Sequence, residues 1–164
     1  MMILGHSGLS DDQKRVHMGM WCMFAAPLLI TTDLENWDKV SASLFSNKYL
    51  IAIDQDKGGH LAEYITTRND VQMWIRKLDE CPVGWAIACV YTKIGGRSTN
   101  FRTSLDEFKS STYTISGEKF ELMDVFTGTT IRDVALTEKF EISINPTGIS
   151  MIRVKPYTIE YSYV

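Results

Sequence analysis

Histidine and cysteine are scarce in this chain, three of each in 164 residues, and that scarcity excludes a good deal. His6, His17 and His60 have no histidine or cysteine three or four residues away, so no zinc-binding pair is written along a helix. Cys22, Cys81 and Cys89 are widely spaced and form no Cys-x-x-Cys motif. Cys22 falls in an apolar helical stretch and Cys89 in a strand pattern, which makes both packed thiols; a Cys81–Cys89 bridge stays open for an oxidising compartment. An Asn-x-Ser/Thr acceptor is lacking too, because Asn145 is followed by Pro146. Positive charge is in deficit, 17 Lys and Arg against 20 Asp and Glu, and no basic run stands out. That argues against a nucleic-acid partner. No segment approaches the roughly 18 apolar residues of a membrane span. The apolar stretch 19–30 is short, is broken by Pro27, and lies behind Asp11 and Asp12, so it does not read as a signal peptide.

What is present divides into two styles of pattern. Ser10-Asp11-Asp12-Gln13 spells a capping box, with both carboxylates in the first turn where the helix dipole favours them. Val16, Met20, Met23 and Phe24 follow at helical spacing, and Pro27 ends the helix by about Ala26. Leu28-Leu29-Ile30-Thr31-Thr32 is an apolar run without alternation, the mark of a strand buried on both faces in a parallel sheet. A second helix is predicted from Trp37 to Phe45, capped at or near Asn36. Tyr49–Ile53 is apolar again, and residues 54–59 read as a linker. From His60 the period changes to two. Strands are predicted near 61–67, 71–78, 83–92, 99–105, 112–115, 119–126, 129–135, 138–144 and 148–155, separated by Gly, Asn, Asp and Pro turns. Many short, closely spaced strands favour an antiparallel sandwich.

Candidate chemistry is thin. Acid–base cleavage needs two carboxylates held across a substrate, and Asp11 and Asp12 are helix-start neighbours that do not face each other. Asp54 and Asp56 flank the linker and suit a turn. Asp33 is more interesting, because the C-terminal end of a parallel strand is where barrel enzymes place working groups, yet one carboxylate is not a mechanism. Ser7-Gly8 is no nucleophile elbow, and Gly58-Gly59 and Gly95-Gly96 precede no helix start that could cradle phosphate. Met18, Met20, Trp21 and Met23 form a stripe better explained by core packing than by a partner. Trp74 and Trp85 could stack on sugar rings, although strand-core packing is favoured. No catalytic residue, metal site or cofactor is assigned.

The run Met1-Met2-Ile3-Leu4-Gly5-His6-Ser7-Gly8-Leu9-Ser10, then Asp12-Gln13, Met20-Trp21 and Ala25-Ala26-Pro27-Leu28, resembles glycoside hydrolase family 27, the α-galactosidases and α-N-acetylgalactosaminidases. Leu50-Ile51-Ala52-Ile53-Asp54-Gln55-Asp56 resembles that family's exit from its barrel, with Asp54 where Asn is usual. Asn145-Pro146-Thr147-Gly148 matches near the end. The resemblance implies an α/β plus all-β fold: the last units of a (β/α)8 TIM barrel over residues 1–58, then a C-terminal antiparallel β-sandwich over 59–164. It implies that the chain begins just after the seventh barrel strand, with the catalytic aspartates upstream. Met1 is then the one position matching the sugar pocket, as a substrate-binding residue. His6-Ser7 departs from the usual Asn-Phe. By resemblance the parent enzyme acts on α-galactoside glycoconjugates, with no cofactor and no membrane span, as a lysosomal or secreted homodimer. The alternative is a non-catalytic β-sandwich module that binds carbohydrate or a partner. With so little of a barrel present, residues 1–56 are expected to be loosely held beside a self-sufficient 60–155.

Overall fold

A computed structural model describes residues 2–5, 8–31, 37–80 and 83–157. Helix α1 spans Asp11–Met23 and opens on the predicted capping box. The Gln13 N–H donates to Ser10 Oγ at 3.2 Å, and the Gln13 side chain accepts the Ser10 N–H at 2.9 Å. Each bond satisfies an N–H that the first turn would leave orphaned. The chain leaves α1 through Ala25 at φ +48° and then Pro27. Helix α2, Lys39–Phe45, is shorter than predicted because Asp38, not Asn36, caps it; Asp38 Oδ1 accepts the N–H groups of Val40 and Ser41, both at 3.0 Å. Asn36 lies outside the described residues. The apolar run at 49–53 is helical, within α3, Lys48–Asp54, because Asn47 supplies an N-cap that accepts from Tyr49 and Leu50.

Eight strands follow: β1 Glu63–Arg68, β2 Val71–Leu78, β3 Gly84–Tyr91, β4 Thr99–Thr103, β5 Lys119–Asp124, β6 Thr130–Ala135, β7 Phe140–Ile144 and β8 Ile149–Pro156. Six form one sheet in the order β1-β2-β3-β8-β5-β6, and β4 pairs with β7 in a second. Every pairing between these strands is antiparallel. The expected strand at 112–115 is only one bridge, Lys109 to Thr114.

The large sheet is covered on both faces, which is why β3 reads as one continuous apolar run. Trp85, Ile87, Cys89 and Tyr91 point to a core shared with Phe101 of β4 and Ile144 of β7. Ala86 and Ala88 point the other way, to a second core with Met18, Cys22 and Met23 of α1 and Leu50 and Ile53 of α3. Small residues on that face let the helices approach. Gly19 does the same from the other side: a Cβ there would stand 3.1 Å from Ile149 Cδ1. The helices are therefore packed on the sheet through a buried core, contrary to the loosely held layer expected from sequence.

The expected barrel strand Leu28–Thr32 is the main departure. Among the described residues it makes one parallel bridge, Met2 to Ile30, and no ladder. Leu29 is 59% and Ile30 41% exposed, so the run is not buried on both faces. A parallel strand needs neighbours on each side. Here the Met2 N–H donates to Leu29 O at 2.7 Å and the Thr31 N–H to Met2 O at 3.2 Å, and among the described residues the pairing goes no further; Thr32 lies outside them.

Candidate functional site

The Met2–Leu4 and Pro27–Thr31 segments make the one place where two chain segments run parallel among the described residues. Met2 and Leu4 are buried beneath them. The Thr31 hydroxyl donates to Met2 O at 3.0 Å, and the Trp21 indole N–H donates to Pro27 O at 3.0 Å, fixing the segment against α1. The residues that the sequence singled out at this end, Met1, His6, Ser7 and Asp33, lie outside the described residues.

The carboxylates elsewhere are occupied by structure. Asp12 pairs with Arg15 at 3.2 Å and accepts from Asn145 Nδ2 at 3.1 Å. Asp56, 5% exposed, accepts the backbone N–H groups of Gly58, Asp79 and Glu80, so the expected linker is a buried junction between α3 and the loop after β2. Sequence reasoning saw a turn at Asp56 and missed the longer reach, because its second partner lies 23 residues on. Asp54 is buried at the end of α3; burial raises its carboxyl, with Gln55 and Arg76 opposing.

His17 accepts from the Ile3 N–H at 3.4 Å and packs on Trp21, and burial lowers its imidazole. His60 bonds Asp79 at 3.2 Å. No group of three His, Cys, Asp or Glu among the described residues could hold a metal ion, and no described helix is long and apolar enough to cross a membrane. Cys22 and Cys89 are buried free thiols, each pushed up to about 12 chiefly by burial; Cys81 lies outside the described residues. The methionine stripe is core: Met18 and Met23 are fully buried, and Met20 and Trp21 pack against the same cluster.

Among the described residues, two surface clefts bear on binding. One, of about 380 Å³, lies between α1 and the end of β3, lined by Ile3, Gln13, Val16, His17, Tyr91 and Thr147, with no carboxylate. The other, of about 350 Å³, lies beside β6 and β7 and includes Asp124, Glu138 and Glu141. Asp124 is spent on the N–H groups of Phe126 and Thr127, and Glu138 on that of Ala135. Neither cleft offers a free carboxylate pair for general acid and nucleophile. Trp85, 5% exposed against Phe120, cannot stack on a sugar. Trp74 is half-buried with Phe24 and Tyr64 set edge-on to it.

Three comparisons bear on what this arrangement belongs to. The family model described as Alpha galactosidase A matches residues 1–56, the three helices and the parallel bridge. The α-N-acetylgalactosaminidase of Gallus gallus is 30% identical over 152 residues, which is 92% of this chain and 36% of that protein. Over nearly its whole length the chain is similar to glycoside hydrolase family 27. Another relative is α-galactosidase 2 of Arabidopsis thaliana, 31% identical over 69% of this chain and 31% of its own length. Among solved structures, the α-galactosidase of Saccharomyces cerevisiae superposes with a TM-score of 0.82 at 20% identity, covering 95% of this chain and 46% of that one. The α-galactosidase I of Mortierella vinacea gives 0.81 at 18% identity, over 95% of this chain and 38% of its own. The mostly antiparallel fold with few helices is thus a family 27 fold. This chain spans about a third of the length of the curated relatives it matches. This similarity does not by itself furnish a reaction centre, since every carboxylate placed above has a structural partner or stands alone.

Proposed function

We propose that this chain is the C-terminal part of a retaining α-galactosidase-like glycoside hydrolase. On this reading residues 1–58 are the last units of a (β/α)8 barrel and residues 59–164 an antiparallel β-sandwich domain. The whole enzyme removes terminal α-linked galactose, or N-acetylgalactosamine, from glycoconjugates by double displacement. One carboxylate attacks to form a glycosyl–enzyme intermediate while a second protonates the leaving oxygen, the pair standing about 5–5.5 Å apart. Both lie on barrel strands outside these 164 residues, and Met1 is the one position here that borders the sugar. The parent enzyme works without a cofactor, as a homodimer, in the lysosome or secreted.

The observation that carries the reading is the family match over residues 1–56, which falls on the part of the fold that holds the one parallel bridge among the described residues. The competing reading, a carbohydrate-binding module, needs an open indole face. Trp85 is buried and Trp74 is flanked by two aromatic rings, so no specific observation favours it. The test is release of an aryl leaving group from an aryl α-galactoside by the purified 164-residue chain. The expected result is no turnover above buffer, and measurable turnover would overturn the placement of the carboxylates.

A further inference from the structure

Residues 92–98, between β3 and β4, form a loop in which every residue is exposed. Ile94 is 91% exposed, the most open large apolar side chain among the described residues. Gly95 at φ +76° and Gly96 at φ +100° turn the chain behind it, in backbone conformations that a side chain would oppose. Lys93 and Arg97 stand on either side, and neither belongs to an ion pair among the described residues. The Thr147 N–H donates to Lys93 O at 3.1 Å, which ties the loop to the turn before β8. The loop is an apolar point between two cations.

The cleft of about 350 Å³ beside β6 and β7 has the opposite character. Its apolar wall includes Ile131, Phe140 and Ile152, and its polar lining includes the carboxylates of Asp124, Glu138 and Glu141, with no lysine or arginine. The N–H groups that Asp124 and Glu138 accept are neutral, so the negative charge stays uncancelled. None of the three carboxylates belongs to an ion pair among the described residues. An anion is repelled there, and no group of three described His, Cys, Asp or Glu could hold a metal ion. The cleft suits an apolar side chain flanked by positive charge.

The chain itself presents that group. Ile94 does not fill the cleft of its own chain, because it stands in solvent. We propose that Ile94, set between Lys93 and Arg97, docks in the cleft beside β6 and β7 of a second copy of this chain. Loop and cleft share one end of the sandwich: the loop is tied to Thr147, and Ser150, three residues on, lines the cleft. Each copy can therefore lend its loop to the other across a two-fold axis, a contact that closes on itself. The contact is independent of the reaction assigned to the parent enzyme, so the association assay and the aryl α-galactoside assay fail separately.

Sedimentation of the 164-residue chain tests it, in a Leu29→Lys, Ile30→Thr background that removes the separate apolar run at 28–31. One variant reverses the loop (Lys93→Glu, Arg97→Glu) and another the cleft (Glu138→Lys, Glu141→Lys), all four at exposed positions. The unreversed chain should dimerise, more weakly as salt rises. Each reversed variant alone should dissociate roughly tenfold more readily or worse, because like charges then face each other. An equimolar mixture of the two should associate again, since both of its loop–cleft contacts pair opposite charges. Ile94→Ser should weaken the dimer without altering any charge, and it tests the contact even if a reversed variant does not fold. A chain that stays monomeric, association untouched by Ile94→Ser or by either reversal, or a folded mixture that does not associate would overturn the proposal.

Discussion

Asp56 clasps the backbone of Asp79 with both carboxylate oxygens, each 3.0 Å from the Asp79 nitrogen, and its Oδ2 also accepts the Glu80 N–H at 3.1 Å. The contact closes the end of β2 onto the turn after α3, at a carboxylate almost wholly removed from solvent. Hydrogen bonds to a charged acceptor contribute about 1.5–3 kcal/mol each, and they are not additive when one carboxylate serves several donors. Asp56→Ala should lower the unfolding free energy by about 3 kcal/mol. Asp56→Asn should cost less, because one acceptor oxygen remains. Urea unfolding of both variants checks the size and the order; equal stability of wild type and Asp56→Ala would mean that the clasp carries no energy.

A second tie runs between α3 and the turn after β5. Gly128 has φ +75°, and a Cβ there would stand 2.9 Å from Tyr49 Cε2. Gly128→Ala should therefore destabilise twice over, by about 1–2 kcal/mol for a left-handed backbone and by a further amount for displacing the Tyr49 ring. Tyr49→Ala should relieve only the second part. A double-mutant cycle read by thermal unfolding should show a coupling term of about 1 kcal/mol. Strict additivity would place the whole effect in the backbone.

How far the sequence reveals this fold depends on the range over which each feature is decided. The Ser10–Gln13 cap and the Asn69-Asp70 turn, both residues at positive φ, are fixed within four residues, and α1 and β2 begin where the sequence places them. The fate of Leu28–Thr32 depends on partners elsewhere, so an apolar run that suits a buried strand lies partly exposed. Arg76 is hidden for a related reason. One arginine in a strand gives no sign of the helix end it will meet 54 residues back in the chain. Of the candidate site, what the sequence reveals is mainly its incompleteness: carboxylates at helix starts and turns, with no facing pair.

The buried thiols should be inert. Cys22 and Cys89 are each pushed up to about 12, far above the ordinary range near 8.5, so almost no thiolate forms at neutral pH. Peptide-level mass spectrometry after brief iodoacetamide treatment at pH 8 should find both unmodified in the native chain and modified after denaturation. Fast native labelling of either would mean that its core opens readily.

Acid sensitivity should have a definite source in Asp38. The Ser41 hydroxyl at 2.6 Å, the Ser41 N–H at 3.0 Å and the Lys14 ammonium at 3.0 Å hold its carboxyl well below the usual carboxylate range. A folded pKa lower than the unfolded one means that the ionised cap stabilises the fold above pH ~4 and is lost as pH falls through the folded value. Thermal unfolding followed from pH 5 to pH 2 should show wild type losing stability in that interval. Asp38→Asn should start lower and show a shallower loss. An unchanged slope would assign the acid transition to other carboxylates.

The exposed Leu29–Ile30 run should govern how the chain behaves in solution. Its side chains are uncovered, as is Ile3 at 41% exposed, and among the described residues its backbone pairs only with Met2. An open edge with apolar side chains invites association. The helices behind it are packed on the sheet, so the weakness belongs to this segment and not to the helical layer as a whole. Limited proteolysis should accordingly cut between Pro27 and Thr31 while α1 and α3 stay protected. Sedimentation should show association that rises with concentration and falls markedly in the double variant Leu29→Lys, Ile30→Thr. The lysine places a charge on the open edge, and threonine keeps the β-branched shape while removing apolar surface. Early cleavage within α1 or α3, or unaltered association in the double variant, would move the weak point elsewhere.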